Sequence, residues 1–229
     1  SAAPVGVSVA VGAFMFGIGM QLAGGCGSGT LFALGSGSAR MALVLLFFCA
    51  GGFAASLSMT WWENMPSAPP IVLGQSIGWL QAAAVQIAFI ALLSAMLRLQ
   101  ASASLGRLFP SGRQWILGPW PLGFGAILLA LLNLATLLVA GHPWSITWAF
   151  TLWGAKGARL LGWDPGADTF WTGEFQGRAL DASILDDVTS IMDIGTILGA
   201  LFAAGLAGRF VLRWRLTPRP VIAALLGGA

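Results

Sequence analysis

Gln21-Leu22-Ala23-Gly24-Gly25-Cys26-Gly27-Ser28-Gly29-Thr30 closes and runs on from the apolar stretch Ala2 to Ala23, which is long enough to cross a bilayer. Four glycines within six positions disfavour a continuous helix. Non-helical backbone at membrane depth survives only where protein or a water-filled cavity satisfies its amides and carbonyls. The stretch therefore predicts a helix break inside a membrane protein. Its one reactive side chain is the Cys26 thiol.

Composition points the same way. The 229 residues are 57% hydrophobic and 8% charged, with a mean hydropathy of +0.85. Soluble domains carry about 25% charged residues. The expected fold class is all-α, a polytopic helical membrane protein with re-entrant or broken helices. The net charge of +3 is no ground for nucleic-acid binding, because the arginines stand at segment ends, where they orient helices. Trp residues also cluster near segment ends, as interfacial anchors do. The two cysteines, Cys26 and Cys49, form neither a disulfide framework nor a CxxC pair. Phosphate-loop, zinc-helix and dinucleotide patterns do not occur, so neither a metal nor a cofactor is expected.

Hydropathy outlines one transmembrane domain with spans at 2–23, 39–60, 78–97, 122–140 and 190–212. Broken or re-entrant segments fall at 24–37 and 143–161. The chain begins at Ser1 without methionine and stops inside the apolar run 221–226. That run is about half the length of a span, so a fragment incomplete at both ends is expected. If Arg98–Arg113 and Arg209–Arg219 both face the cytoplasm, the span 122–140 leaves to the outer side and 190–212 returns from it. Segment 143–161 then starts and ends outside, which makes it re-entrant. The order of span, broken segment and span around Cys26 recurs around Pro143–Gly154, suggesting an inverted repeat.

The chemistry converges on the glycine run. Backbone N–H groups of Gly25, Gly27 and Gly29 can face a ligand, and a half-helix over Ser28–Leu34 would turn its positive dipole end toward Cys26. Ser28 and Thr30 add hydroxyl donors. A thiol is a weak donor and a soft acceptor, which suits a sulfur-bearing anion better than chloride or phosphate. The alternative, that the glycines only let helices cross closely, asks for small residues at every fourth position, not consecutive ones. Cys49 sits mid-span with no break around it and reads as packing. Lys156, a cation in a re-entrant segment, reads either as a functional charge or as a side chain snorkelling to the interface. His142 reads as a cap or headgroup contact, and Asp181, Asp186 and Asp187 as a solvated face. Asp193 is expected to pair with a basic residue or to meet outer water.

Gly19-Met20-Gln21-Leu22-Ala23-Gly24-Gly25-Cys26-Gly27-Ser28-Gly29-Thr30-Leu31-Phe32 resembles the cysteine motif of the YeeE/YedE family of bacterial inner-membrane sulfur transporters, which includes thiosulfate permeases. Pro143-Trp144-Ser145-Ile146-Thr147 with Leu152-Trp153-Gly154-Ala155-Lys156 resembles a second family stretch, and Val188–Gly195 with Leu198-Gly199-Ala200 a third. The resemblance implies a multi-pass protein of the bacterial inner membrane that takes up thiosulfate or a related sulfur anion through a relay of cysteines. It implies substrate contacts from Cys26, Gly25, Gly27, Ser28, Gly29, Thr30, Thr147 and Lys156. It also implies a cytoplasmic sulfur-carrier protein as partner, and transport rather than enzymatic chemistry. Only Cys26 of that relay can be carried over, and Asp193 stands where the family usually has an amide. Two other functions fit the residues: a membrane thiol enzyme working covalently on Cys26, and a packing subunit that transports nothing.

Overall fold

The break comes where the glycines put it. In the computed structural model, which describes residues 5–70, 72–100, 109–118, 120–212 and 218–228, helix α1 (Val7–Ala23) ends at Gly24. Gly24 is in the left-handed region (φ 79°), which glycine enters without a Cβ clash. The Gly24 and Gly25 amides both return to the Met20 carbonyl, at 3.1 and 3.2 Å, and close the helix. Cys26 is extended, and α2 (Gly27–Gly35) begins after it. Residues 5–6 are not helical, contrary to the expected start at residue 2. There β1 (Val5–Gly6) pairs antiparallel with β2 (Ser67–Ala68).

The chain then forms α3 (Ala39–Leu57), the short α4 (Met59–Glu63) and α5 (Leu73–Ile77), and α6 (Trp79–Gln100). Helix α3 stops three residues before the expected Thr60. The Ser56 and Ser58 hydroxyls donate to the carbonyls of Phe53 (2.6 Å) and Ala55 (2.9 Å), competing with the helical ladder. After α7 (Gln114–Leu117) come α8 (Leu122–Ala140), α9 (Ile146–Leu160), α10 (Glu174–Asp181), α11 (Val188–Leu206) and α12 (Pro218–Gly228). Helix α11 starts two residues earlier than expected because the Asp187 carboxylate caps it, accepting from the Ser190 amide at 2.8 Å. It ends at Leu206, before the left-handed Gly208. Arg107, Arg213 and Arg215, which helped to orient the chain, lie outside the described residues.

Among the described residues, five segments are long and apolar enough to cross a membrane: Val7–Gly35 taken across its break, Ala39–Leu57, Trp79–Met96, Leu122–Ala140 and Val188–Leu206. Helix α8 buries no residue, and its leucines are exposed around its circumference. That is the pattern of a helix solvated by lipid. Helix α9, with 15 residues, is about 22 Å long, short of the roughly 30 Å hydrocarbon core.

Packing between the two halves is reciprocal. Helix α2 lies along α11, and α9 lies along α3. Each contact is glycine-mediated. A Cβ on Gly35 would meet the Ile197 carbonyl and the Ala200 methyl, and one on Gly154 would meet the Cys49 carbonyl and Phe53. The order span, short helix, span thus occurs as α1–α2–α3 and again as α8–α9–α11.

Several tryptophans do more than the interfacial anchoring expected of them. Trp144, Trp148 and Trp153 donate their indole N–H groups to Asp193, Asp187 and Ser190, at 3.3, 3.2 and 2.9 Å, joining α9 and its lead-in to α11. Trp171 donates to the Ser56 hydroxyl at 2.9 Å inside a core with Leu152, Ala155 and Leu180. Enclosed indoles need such acceptors.

Candidate functional site

Cys26 occupies the N-cap of α2, the first helical hydrogen bond running from the Thr30 amide to the Cys26 carbonyl at 2.9 Å. The preceding amides, those of Gly27, Ser28 and Gly29, belong to the helical turn that has no carbonyl of its own to bond. The Cys26 sulfur and the Ser28 hydroxyl lie 3.3 Å apart, and a Cβ on Gly29 would stand 3.5 Å from the sulfur. Sulfur, hydroxyl and first-turn backbone are therefore one cluster. Thr30 is fully buried, its hydroxyl without a partner among the described residues and facing Gly25.

Gly27 is the contact with the second broken segment. A Cβ there would stand 3.3 Å from both Ile146 and Phe150 of α9. Beside it opens a cavity of about 370 Å³ lined by Met15, Gly27, Phe48, Thr147, Phe150 and Thr151, among others. Thr147 thus shares a cavity with the glycine run. A larger cavity of about 680 Å³ between the α2–α3 turn and α11 is lined almost wholly by apolar side chains and offers no comparable chemistry.

Lys156 is not brought to this cluster. It lies nine residues beyond Thr147 along α9, about 13 Å of helix. Its ammonium donates to the carbonyls of Leu180 (2.7 Å) and Ala182 (2.6 Å), capping the end of α10. Arg159 pairs with Asp181 at 2.7 Å, and Asp186 completes a capping box with Ser183. The segment from Asp164 to Asp187 is a folded cap held to α9 and α3. Asp181 and Asp186 are exposed on it as expected, whereas Asp187 turns inward to cap α11. Lys156→Met is expected to loosen that cap by about 1 kcal/mol. Limited proteolysis should then cut between residues 162 and 187 several-fold faster than in the parent protein.

Sequence reasoning missed Arg40. Its guanidinium donates to the Ala23 carbonyl at 3.0 Å and the Leu22 carbonyl at 3.4 Å, and lies against Gly24. A cation at the negative end of α1 is stabilised there, and it adds positive charge beside the break. The signal was present, since Arg40 is the only basic residue before Arg98. Among the described residues, Asp193 meets no basic side chain, and it is closed off from outer water. It is fully buried, with Trp144 donating to one carboxylate oxygen and no partner for the other among the described residues.

A family model described as sulphur transport matches residues 1–229. The thiosulfate transporter TsuA of Spirochaeta thermophila is 27% identical over 221 residues, which cover 95% of this chain and 62% of that protein. The chain therefore spans less than two thirds of the length of the curated relative it matches.

Proposed function

This chain belongs to the sulphur transport family, and on that premise we propose that it forms part of a permease for a sulfur-containing inorganic anion, thiosulfate first. The observation that carries the proposal is the chain break at Gly24–Cys26, which places a thiol at the open N-terminus of α2. The anion is drawn by the first-turn amides of α2 and by the Arg40 charge, and accepts hydrogen bonds from the Ser28 hydroxyl and the Cys26 S–H. Gly25, Gly27 and Gly29 keep the backbone approachable, and Thr30 and Thr147 supply further hydroxyls along the path. Weak contacts in series suit conduction, because a deep trap would not release the anion. Lys156, engaged by two carbonyls, serves by holding the outer cap and not by touching the anion. The membrane is the bacterial plasma membrane, with a sulfur carrier receiving the anion on the cytoplasmic side.

The family description and the relative's name both denote transport and not enzymatic chemistry. A covalent sulfur enzyme would also need a resolving thiol. Cys49 is the other cysteine of this chain, and it lies mid-way along α3 with its carbonyl against Gly154. Vesicles containing the complete protein are expected to accumulate radiolabelled thiosulfate, with unlabelled thiosulfate competing at least ten-fold better than sulfate. Equal competition by sulfate, or no uptake above empty vesicles, would reject a thiosulfate pathway.

A further inference from the structure

Asp193 is a buried acid for which anion passage as described has no use. Its side chain is 0% exposed, inside a helix apolar enough to span the membrane. One oxygen accepts the Trp144 indole N–H at 3.3 Å, and Oδ2 has no partner among the described residues. An ionised carboxylate so enclosed needs a cation or several donors to offset its lost hydration.

Among the described residues, the surrounding elements supply neither. Helix α2, which lies along α11, carries no titratable residue from Gly27 to Gly35. On α3 the facing titratable group is the Cys49 thiol, and Arg40 is committed to the end of α1. On α9, Lys156 is held by the Leu180 and Ala182 carbonyls and Arg159 by Asp181. The turn before α11 contributes Asp186 and Asp187, which have the same sign of charge. Asp187 already accepts from Trp148 and from the Ser190 amide and hydroxyl.

The carboxyl is tied to the segment that packs on the helix break. Trp144, its one donor among the described residues, is two residues ahead of Ile146, which with Phe150 presses on Gly27. An anion at the start of α2 would meet an ionised Asp193 as a like charge in a poorly screened interior.

We propose that Asp193 is a proton-binding site, a neutral carboxylic acid in the resting protein, and that the sulfur anion passes only while it is neutral. This rests on the permease function proposed above and adds a proton to it. Binding forms one O–H bond on a carboxylate oxygen with a proton taken from the aqueous phase. Release returns that proton, and no electron moves. The neutral fraction rises as pH falls, so uptake rises as pH falls and declines as pH climbs through the titration of the acid. The steepest decline for one proton is about ten-fold per pH unit.

The test uses the full-length protein in membranes. Infrared difference spectra of wild type against Asp193→Asn are expected to show the carbonyl stretch of a protonated acid at neutral pH, lost in the variant. Thiosulfate uptake by Asp193→Asn, whose amide is neutral at every pH, is expected to stay within two-fold across the range where the wild type changes ten-fold. If the amide variant fails to accumulate, Asp193→Glu should retain both a shifted acid band and the pH slope. A wild-type spectrum without the band, or the same pH slope in wild type and Asp193→Asn, overturns the proposal. Uptake missing from the wild type at every pH defeats the permease function separately, and the band still decides whether the proton is there.

Discussion

Replacing Cys26 with alanine in the full-length protein is expected to lower thiosulfate uptake at least ten-fold at matched protein level in the membrane. The side chain is half-exposed at the N-cap of α2, and the structural cost of removing sulfur there is small. On the proposed function, alanine removes one hydrogen bond to the anion. Such a bond is worth about 1.5–3 kcal/mol, or roughly 10- to 150-fold in an equilibrium or a rate. Cys26→Ser sharpens the test. The hydroxyl keeps a donor but is shorter and harder, so partial recovery fits an anion that prefers a soft partner. Full activity in the serine variant would mean that the thiol is dispensable and that the glycines serve packing alone. Mass spectrometry of Cys26 during turnover separates passage from covalent chemistry, because passage leaves the thiol unmodified and an enzyme would accumulate a persulfide.

What was legible in the sequence was local. Gly24-Gly25-Cys26-Gly27 announces a break because glycine reaches the left-handed region at low cost, and Gly24 does so. The apolar runs announce spans, and their edges moved by a few residues where side chains intervened, as Ser56, Ser58 and the Asp187 cap did. The tertiary partners of polar residues were not legible. The Lys156 ammonium finds carbonyls 24 and 26 residues away, and the Trp171 indole finds a serine 115 residues away. Composition treats Lys156 as an intramembrane cation and Trp171 as an interfacial ring. Only packing reveals that each satisfies a hydrogen bond within the fold. Arg40 and Asp193 share that difficulty, because their meaning depends on which helix end or which enclosed space they meet. Thr147 could be placed beside Gly27 only through a resemblance, since nothing in residues 24–30 indicates contact with residues 146–150.

Gly154→Ala is expected to lower the apparent melting temperature of the purified protein by several degrees and to reduce uptake with it. The reason lies in the seam between α9 and α3, where the Gly154 backbone rests on the Cys49 carbonyl and a new methyl would also lie 2.9 Å from Phe53. Backbone cannot yield as a flexible side chain can, so α9 must move outward. Overpacking of this kind costs about 1–3 kcal/mol. Gly157, less than one turn further along the same helix, has nothing within 4 Å of an added Cβ. Gly157→Ala should therefore be neutral or stabilising by about 0.5–1 kcal/mol, as alanine is in a helix interior. Opposite signs for the same substitution on one helix isolate the seam from helix propensity. The loss of uptake follows because Ile146 and Phe150, which press on Gly27, and Thr147, which lines the cavity beside it, ride on the same helix. Displacing α9 from α3 moves them away from the first turn of α2 and reshapes the cavity beside Gly27. Equal thermal stability of the two alanine variants in detergent would show that α9 does not bear on α3 at Gly154, and the reciprocal packing of the two halves would have to be redrawn.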